Sequence, residues 1–266
     1  MKIKSSAVTM SIAGKIIRIN RLVNPLSKRM LIIKAECSMG TEEEFNTIEK
    51  IIQSFKESCD GIVLNYDYVS KLFRYFLGRQ APALILRVKL PMVPLQPDKA
   101  NTILSPLIEN AVSIGATAAI SSFFVGHEKD EDEARNVRFI SLLARETEKV
   151  GLPLIIECIP FGERVTRENF SKCVELAARV STEAGADVIA IPYIKEQEIL
   201  QKIIDGVGTP VLMLDIVTPF GSAVEDLKSA LNSGASGLII GEETFRRLDI
   251  QSIKKLYESI HRRSVG

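Results

Sequence analysis

The chain has 266 residues, 46% of them hydrophobic and 25% charged, with 34 Lys and Arg against 33 Asp and Glu. That length is enough for one large core, and a net charge of +1 leaves no electrostatic footprint for nucleic acid or an anionic membrane surface. No apolar run approaches the ~20 residues of a membrane span.

The N-terminal stretch MKIKSSAVTMSIAGKIIRIN is interrupted by Lys15 and Arg18, so no signal peptide is expected. The four cysteines, Cys37, Cys59, Cys158 and Cys173, form no C-x-x-C pair, and a cytoplasmic protein with reduced thiols is the expectation. Only His127 and His261 are present, which leaves little material for a His-rich metal site.

In chain order, eight short apolar runs read as strands: 30–36, 61–65, 83–90, 117–123, 152–159, 187–193, 209–216 and 236–241. Most are apolar at successive positions, as parallel strands buried on both faces require. The segments between them read as helices. Thr41-Glu42-Glu43-Glu44 is a capping box, followed by Phe45, Ile48, Ile51, Ile52 and Phe55 on one face. Before the fifth run, Val137, Ile140, Leu143 and Val150 form a second stripe that stops at Gly151 and Pro153. Asp249 is placed to cap a last helix carrying Ile250, Ile253, Leu256 and Ile260.

A weak repeat runs through SIGATAAISSF, EAGADVIAIPY and NSGASGLIIGE. Each sets a Gly-Ala at a helix end just before a strand, so Gly115, Gly185 and Gly234 are expected to take the left-handed conformation. Eight βα units predict a single (β/α)8 barrel over residues 1–266, with a short N-terminal arm of about 28 residues. A doubly wound open sheet is the alternative. It would ordinarily carry a Gly-rich phosphate loop after the first strand, and AECSMGTEE is not one. The stretch PMVPLQPDKAN at 91–101 sits where a βα loop would cover the barrel mouth.

In such a barrel, chemistry sits at the C-terminal strand ends. Those ends carry Glu36, Asn65, Arg87 with Lys89, Ser121 with Ser122, Glu157, Ala190, Asp215 and Glu242. Alternation puts Lys34 and Glu36 on one face of the first strand, and Arg87 and Lys89 on one face of the third.

The ordered series CDGIVLN, IGATAAISSFFVG, GLPLIIECIPFG, GADVIAIPY, TPVLML and GASGLIIGEETF resembles the archaeal-type class I aldolases over nearly the whole chain. The resemblance implies a TIM barrel and carbon–carbon lyase chemistry on a small carbonyl ligand. It calls for no cofactor and no metal, and implies a homo-oligomer. It also implies a Schiff-base lysine on the sixth strand, where this chain has Ala190, which cannot form an iminium. The family's Asp-His-Gly on the first strand corresponds to Glu36, Cys37 and Ser38, and its Tyr-Pro-Arg-Gly on the fifth to Ile159, Pro160, Phe161 and Gly162. Its phosphate anchors correspond to Asp215-Ile216-Val217-Thr218 and to Gly241-Glu242, so like charge disfavours a phosphate held in the family's way.

Three readings follow. In the first, catalytic groups have moved, with Lys89 as the amine and Glu36 or Glu157 as general acid/base; Lys34 lies deeper and is placed to neutralise a carboxylate. Asn65, Arg87, Ser121, Asp215 and Glu242 would then line the substrate site. In the second, Glu36, Glu157 and Asp215 converge on Mg²⁺ or Mn²⁺, unless each pairs with Arg87, Lys89 or Lys34 instead. In the third, the chain is a pseudoenzyme that binds a ligand or a partner. Cys37 with His127 is a lesser candidate for a nucleophile–base pair, and Tyr66, Tyr68 and Tyr193 stand near strand ends.

Overall fold

The computed structural model describes residues 10–36, 41–89, 97–194, 196–215 and 231–261, with the backbone alone for 97–103. All eight expected strands are present: β1 (Met30–Lys34), β2 (Gly61–Leu64), β3 (Ala83–Arg87), β4 (Ala118–Val125), β5 (Leu154–Pro160), β6 (Val188–Pro192), β7 (Val211–Leu214) and β8 (Gly237–Ile240). They close in sequence order into a barrel in which every neighbouring pair is parallel, β8 returning to β1. The open-sheet alternative is thereby excluded.

The helices are α1 (Met10–Leu22), α2 (Glu42–Phe55), α3 (Tyr66–Leu72), α4 (Pro97–Ser113), α5 (Asp130–Lys149), α6 (Phe170–Glu183), α7 (Gln197–Gly206), α8 (Glu242–Arg247) and α9 (Ile250–His261). Local chemistry explains their limits. Thr41 and Glu44 make the reciprocal capping box, and Asp249 accepts from Ser252 N at 2.7 Å. The Gly-Ala repeat ends its helices in the expected way. Gly115, Gly185 and Gly234 have φ of 80°, 106° and 96°, and Ala116 N and Ala186 N close back on the carbonyls of Ala111 and Ser181. The expected mouth loop at 91–101 divides: its last residues open α4, and 90–96 lie outside the described residues.

Strand alternation sorts side chains into two cores. Outward-facing residues such as Leu31, Ile33, Leu86 and Ile156 pack against the helices. Inward-facing residues, among them Met30, Ile32, Val63, Ile85, Ile120, Ile155, Val188 and Leu212, fill the barrel. Leu22, the last residue of α1, inserts into the bottom of this interior. Lys15 anchors the same helix through Glu148 at 2.6 Å and Asp187 at 3.0 Å, while Arg18 donates to the Gly151 carbonyl at 2.8 Å. The interior is therefore apolar and plugged at its N-terminal end, and a ligand site is left to the other end.

Barrel closure relies on Gly237, whose φ is 154° and where a Cβ would lie 2.0 Å from the Met30 carbonyl oxygen. Backbone on both sides leaves no flexible side chain to yield. Gly237→Ala is expected to lower stability by about 3 kcal/mol or more. In thermal unfolding that corresponds to a Tm lower by roughly 6–12 °C for a chain of this size.

Candidate functional site

The C-terminal mouth is where the inward-facing pattern turns from apolar to charged. β1 runs Met30, Ile32 and then Lys34, with Glu36 two residues beyond. β3 runs Ile85 and then Arg87, and β5 runs Ile155 and then Glu157. Register sets Ser122 of β4 opposite Glu157, and Glu157 opposite Ala190 of β6. One layer up from the sealed core, polar side chains from four strands face one another.

Arg87 binds them together. Its Nε donates to both oxygens of Glu36 at 3.0 and 2.9 Å, and its Nη2 to Glu36 Oε1 at 2.7 Å. Its Nη1 donates to Glu157 Oε2 at 2.6 Å, and Ser122 Oγ donates to the same oxygen at 2.7 Å. The other oxygen, Glu157 Oε1, is buried, makes no hydrogen bond among the described residues and lies 3.6 Å from Lys34 Nζ. Side-chain exposure is 3% for Glu157, 6% for Arg87, 19% for Glu36 and 22% for Lys34. Glu157 and Arg87 are thus sealed in, and Glu36 and Lys34 reach the open mouth. The two cations and two carboxylates sum to zero charge.

The protonation states follow from these contacts. Burial pushes the Glu157 carboxyl up, but Arg87, Lys34 and the hydrogen bonds from Arg87 and Ser122 outweigh it, bringing it down to about 2. Burial likewise works against the Arg87 cation, and the charges of Glu157 and Glu36 overcome it, leaving the guanidinium above its ordinary value. Glu157 is therefore a fixed anion at neutral pH and a poor proton carrier. Gly241, just after β8, leaves room for Lys34. A Cβ there would sit 2.9 Å from Lys34 Cε, so the lysine stem lies across the β8 end of the mouth.

The other expected residues are placed as follows. Lys89, two residues beyond the end of β3, is exposed and makes none of the contacts of the cluster. Asn65 stands at the N-cap of α3. Ser121 points the opposite way from Ser122: it is fully buried among outward-facing residues and donates to the Val88 carbonyl at 2.7 Å. Of the two serines, then, it is Ser122 that faces the mouth. Asp215 turns its Oδ2 to the backbone N–H groups of Gly241, at 3.1 Å, and Thr244, at 2.7 Å. Glu242 is exposed and paired with Arg246 at 2.6 Å along α8.

Glu36 and Glu157 thus meet through Arg87, and Asp215 stands apart from both. Among the described residues no three His, Cys, Asp or Glu side chains gather as metal ligands do. Cys37 lies outside the described residues, and His127 Nε2 contacts Asn136 Nδ2 at 3.1 Å. Tyr68 and Tyr193 are buried and Tyr66 is exposed.

Two measurements check the cluster. Removing Arg87 leaves two carboxylates without their shared cation, so Arg87→Met should destabilise the fold by about 3–5 kcal/mol in urea unfolding. Because the Glu157 value in the folded protein lies below the ordinary 4.5, its stabilisation is present above about pH 4.5 and is lost as the pH falls toward 2. Wild type should lose about 3 kcal/mol to this group over that window, and Glu157→Gln should lack that part of the acid slope.

The comparisons agree with this architecture. The family model of the DeoC/LacD family aldolases matches residues 31–247. An uncharacterised aldolase of Saccharolobus solfataricus is 24% identical, with 81% of this chain and 82% of that protein covered. The 2-amino-3,7-dideoxy-D-threo-hept-6-ulosonate synthase of Halobacterium salinarum is 24% identical over 89% of this chain and 87% of its own length. The crystal structure of an archaeal fructose 1,6-bisphosphate aldolase superposes with a TM-score of 0.68 at 20% identity, over 92% of this chain and 97% of that one. Strand order, closure and the span of the family match lead to one assignment: the chain belongs to the DeoC/LacD aldolase family.

Proposed function

We propose that this protein is a carbon–carbon lyase of the aldolase kind, acting on a small carbonyl compound at the barrel mouth with Lys34 as its amine. The observation that carries this reading is the Lys34–Glu157 pair. It puts an amine 3.6 Å from an anion that Arg87 and Ser122 hold in place. The position that the aldolase resemblance gives to the amine is Ala190, buried in the barrel interior in register with Glu157. The reading therefore moves the amine across the mouth to β1. Lys89, the other candidate, is exposed beyond β3, and that supports Lys34 over it.

The chemistry then runs through this chain's own groups. Lys34 first gives its ammonium proton to solvent; the free amine then adds to the substrate carbonyl to give a carbinolamine, which loses water to give an iminium. The iminium withdraws the electron pair of the neighbouring carbon–carbon bond. That bond breaks, the hydroxyl of the departing fragment gives up its proton to become a carbonyl, and an enamine remains. Protonation of the enamine and hydrolysis return the amine. Glu157, fixed as an anion, stabilises the cationic iminium and needs no protonation change to do so. Glu36 is the carboxylate at the solvent edge and takes the proton-carrying role.

A second reading, a ligand-binding relative without turnover, draws support from Ala190 itself. It also draws support from the engagement of both mouth carboxylates by Arg87.

Borohydride trapping separates the readings. The protein is incubated with phosphorylated and unphosphorylated ketones and aldehydes, reduced, and followed by intact mass and peptide mapping. One stoichiometric adduct on Lys34, lost in Lys34→Met and kept in Lys89→Ala, is the expected result. An adduct on Lys89 would return the amine to β3 and keep the lyase. No adduct, with a control aldolase trapped in parallel, would leave the binding reading.

A further inference from the structure

We infer that Phe124, Ile159 and Phe161 form a specificity-determining wall at the β4–β5 corner of the mouth, so that the substrate is a ketone or aldehyde carrying an apolar, aryl-sized substituent. This deepens the proposed reading of the mouth as a substrate site and rests on it.

Strand register builds this wall one layer above the charged cluster. Ser122 of β4 stands opposite Glu157 of β5 and, two residues on, Phe124 stands opposite Ile159. Ile159 belongs to the barrel interior, and Phe124 packs against that interior. Phe161 is the next inward position after Ile159, and its ring meets that of Phe124 edge-on, with centroids 6.4 Å apart and planes at 67°. The mouth is therefore two-sided. Lys34, Glu36, Arg87 and Glu157 supply charge in one layer, and along β4 and β5 three side chains without a polar atom rise from it. A substrate carbonyl at Lys34 Nζ, itself 3.6 Å from Glu157 Oε1, has its substituent led toward this wall.

Phe161 is 63% exposed, and the backbone holds it there. Its N–H donates to the Val125 carbonyl at 2.9 Å, and Arg164 N donates to the Gly126 carbonyl at 3.0 Å. Gly162 lies so close that a Cβ would come within 2.1 Å of the Gly126 oxygen. Glu133 accepts from the N–H groups of Gly126 and His127 at 3.1 and 3.0 Å. The loops after β4 and β5 are thus fastened to each other, and the ring is a preformed contact surface rather than a group free to fold away. Polar side chains of the same corner are engaged elsewhere, His127 with Asn136 and Arg164 with Asp130. A hydroxyl or phosphate against the wall would lose water and gain no partner, whereas an aryl or alkyl group would bury apolar surface without that cost.

The test titrates two methyl ketones, acetone and 4-phenylbutan-2-one, into the whole protein and into Phe161→Ala, Phe124→Leu and Lys34→Met, each checked for native circular dichroism and Tm. Wild type is expected to bind the phenyl ketone about tenfold or more tighter than acetone, and Phe161→Ala and Phe124→Leu each to shrink that preference by about threefold or more. Lys34→Met should keep the preference, because the wall does not depend on the amine. Borohydride trapping on the same samples reads the amine separately. A preference kept in Lys34→Met, with no adduct on wild type, upholds the wall and removes the lyase. An adduct on Lys34 with equal affinity for the two ketones does the reverse. Equal affinity, binding of neither ketone, or a preference unchanged in both phenylalanine variants overturns the inference. The exposed ring of Phe161 can be removed without opening the core, so Phe161→Ala decides the matter if Phe124→Leu does not fold.

Discussion

Two carboxylates and one guanidinium at the top of an apolar barrel set the terms for everything above them. A charge in that setting costs several kcal/mol in lost hydration unless a partner of opposite sign stands at hydrogen-bond distance. Arg87 meets the requirement for Glu36 and Glu157 at once, using the planar fork of donors that lysine lacks. That bridge ties β1, β3 and β5 together across the mouth. In the proposed reading it also decides which groups remain for chemistry. Glu157 is committed as an anion, Arg87 is spent on its partners, and Lys34 and Glu36 stand at the open edge.

The rest of the barrel supports this layer. Below it the interior is filled by Met30, Ile32, Val63, Ile85, Ile120, Ile155, Val188 and Leu212. Leu22 closes the far end, and Lys15 ties α1 to Glu148 and Asp187. A dry floor strengthens the ion pairs above it, because the effective dielectric falls as water is excluded. The same dryness would strengthen the pull of Glu157 on a cation formed at Lys34. Packing and chemistry are linked here through solvent exclusion.

Ala190 and Asp215 mark where this chain departs from the resemblance at the mouth. Ala190 is buried in register with Glu157, and in the proposed reading the amine stands on β1 instead. Asp215 accepts from the backbone N–H groups of Gly241 and Thr244. Neither feature disturbs the closure of the strands.

Much of this was legible in the sequence. Successive apolar residues in eight runs require strands buried on both faces, and glycines before three of them require left-handed helix ends. Those are local constraints, so the barrel, the capping box at Thr41 and the last helix at Asp249 could be read directly. The carboxylates and Arg87 were legible as mouth residues for the same reason. Only the tertiary structure decided which of them meet. Glu36, Arg87 and Glu157 are separated by 51 and 70 residues, and their pairing depends on strand register and side-chain reach across the barrel. The register also turned Ser121 outward and Ser122 inward, a difference of one residue that alternation leaves open until the strand is anchored. Lys34 entered the cluster because Gly241 left space over β8, and Asp215 left it because two distant backbone N–H groups came within reach. The sequence alone determined the strand and helix pattern, since each element answers to its own residues. Which charges touch was settled by closure of the barrel, because those contacts span strands that only the fold brings together.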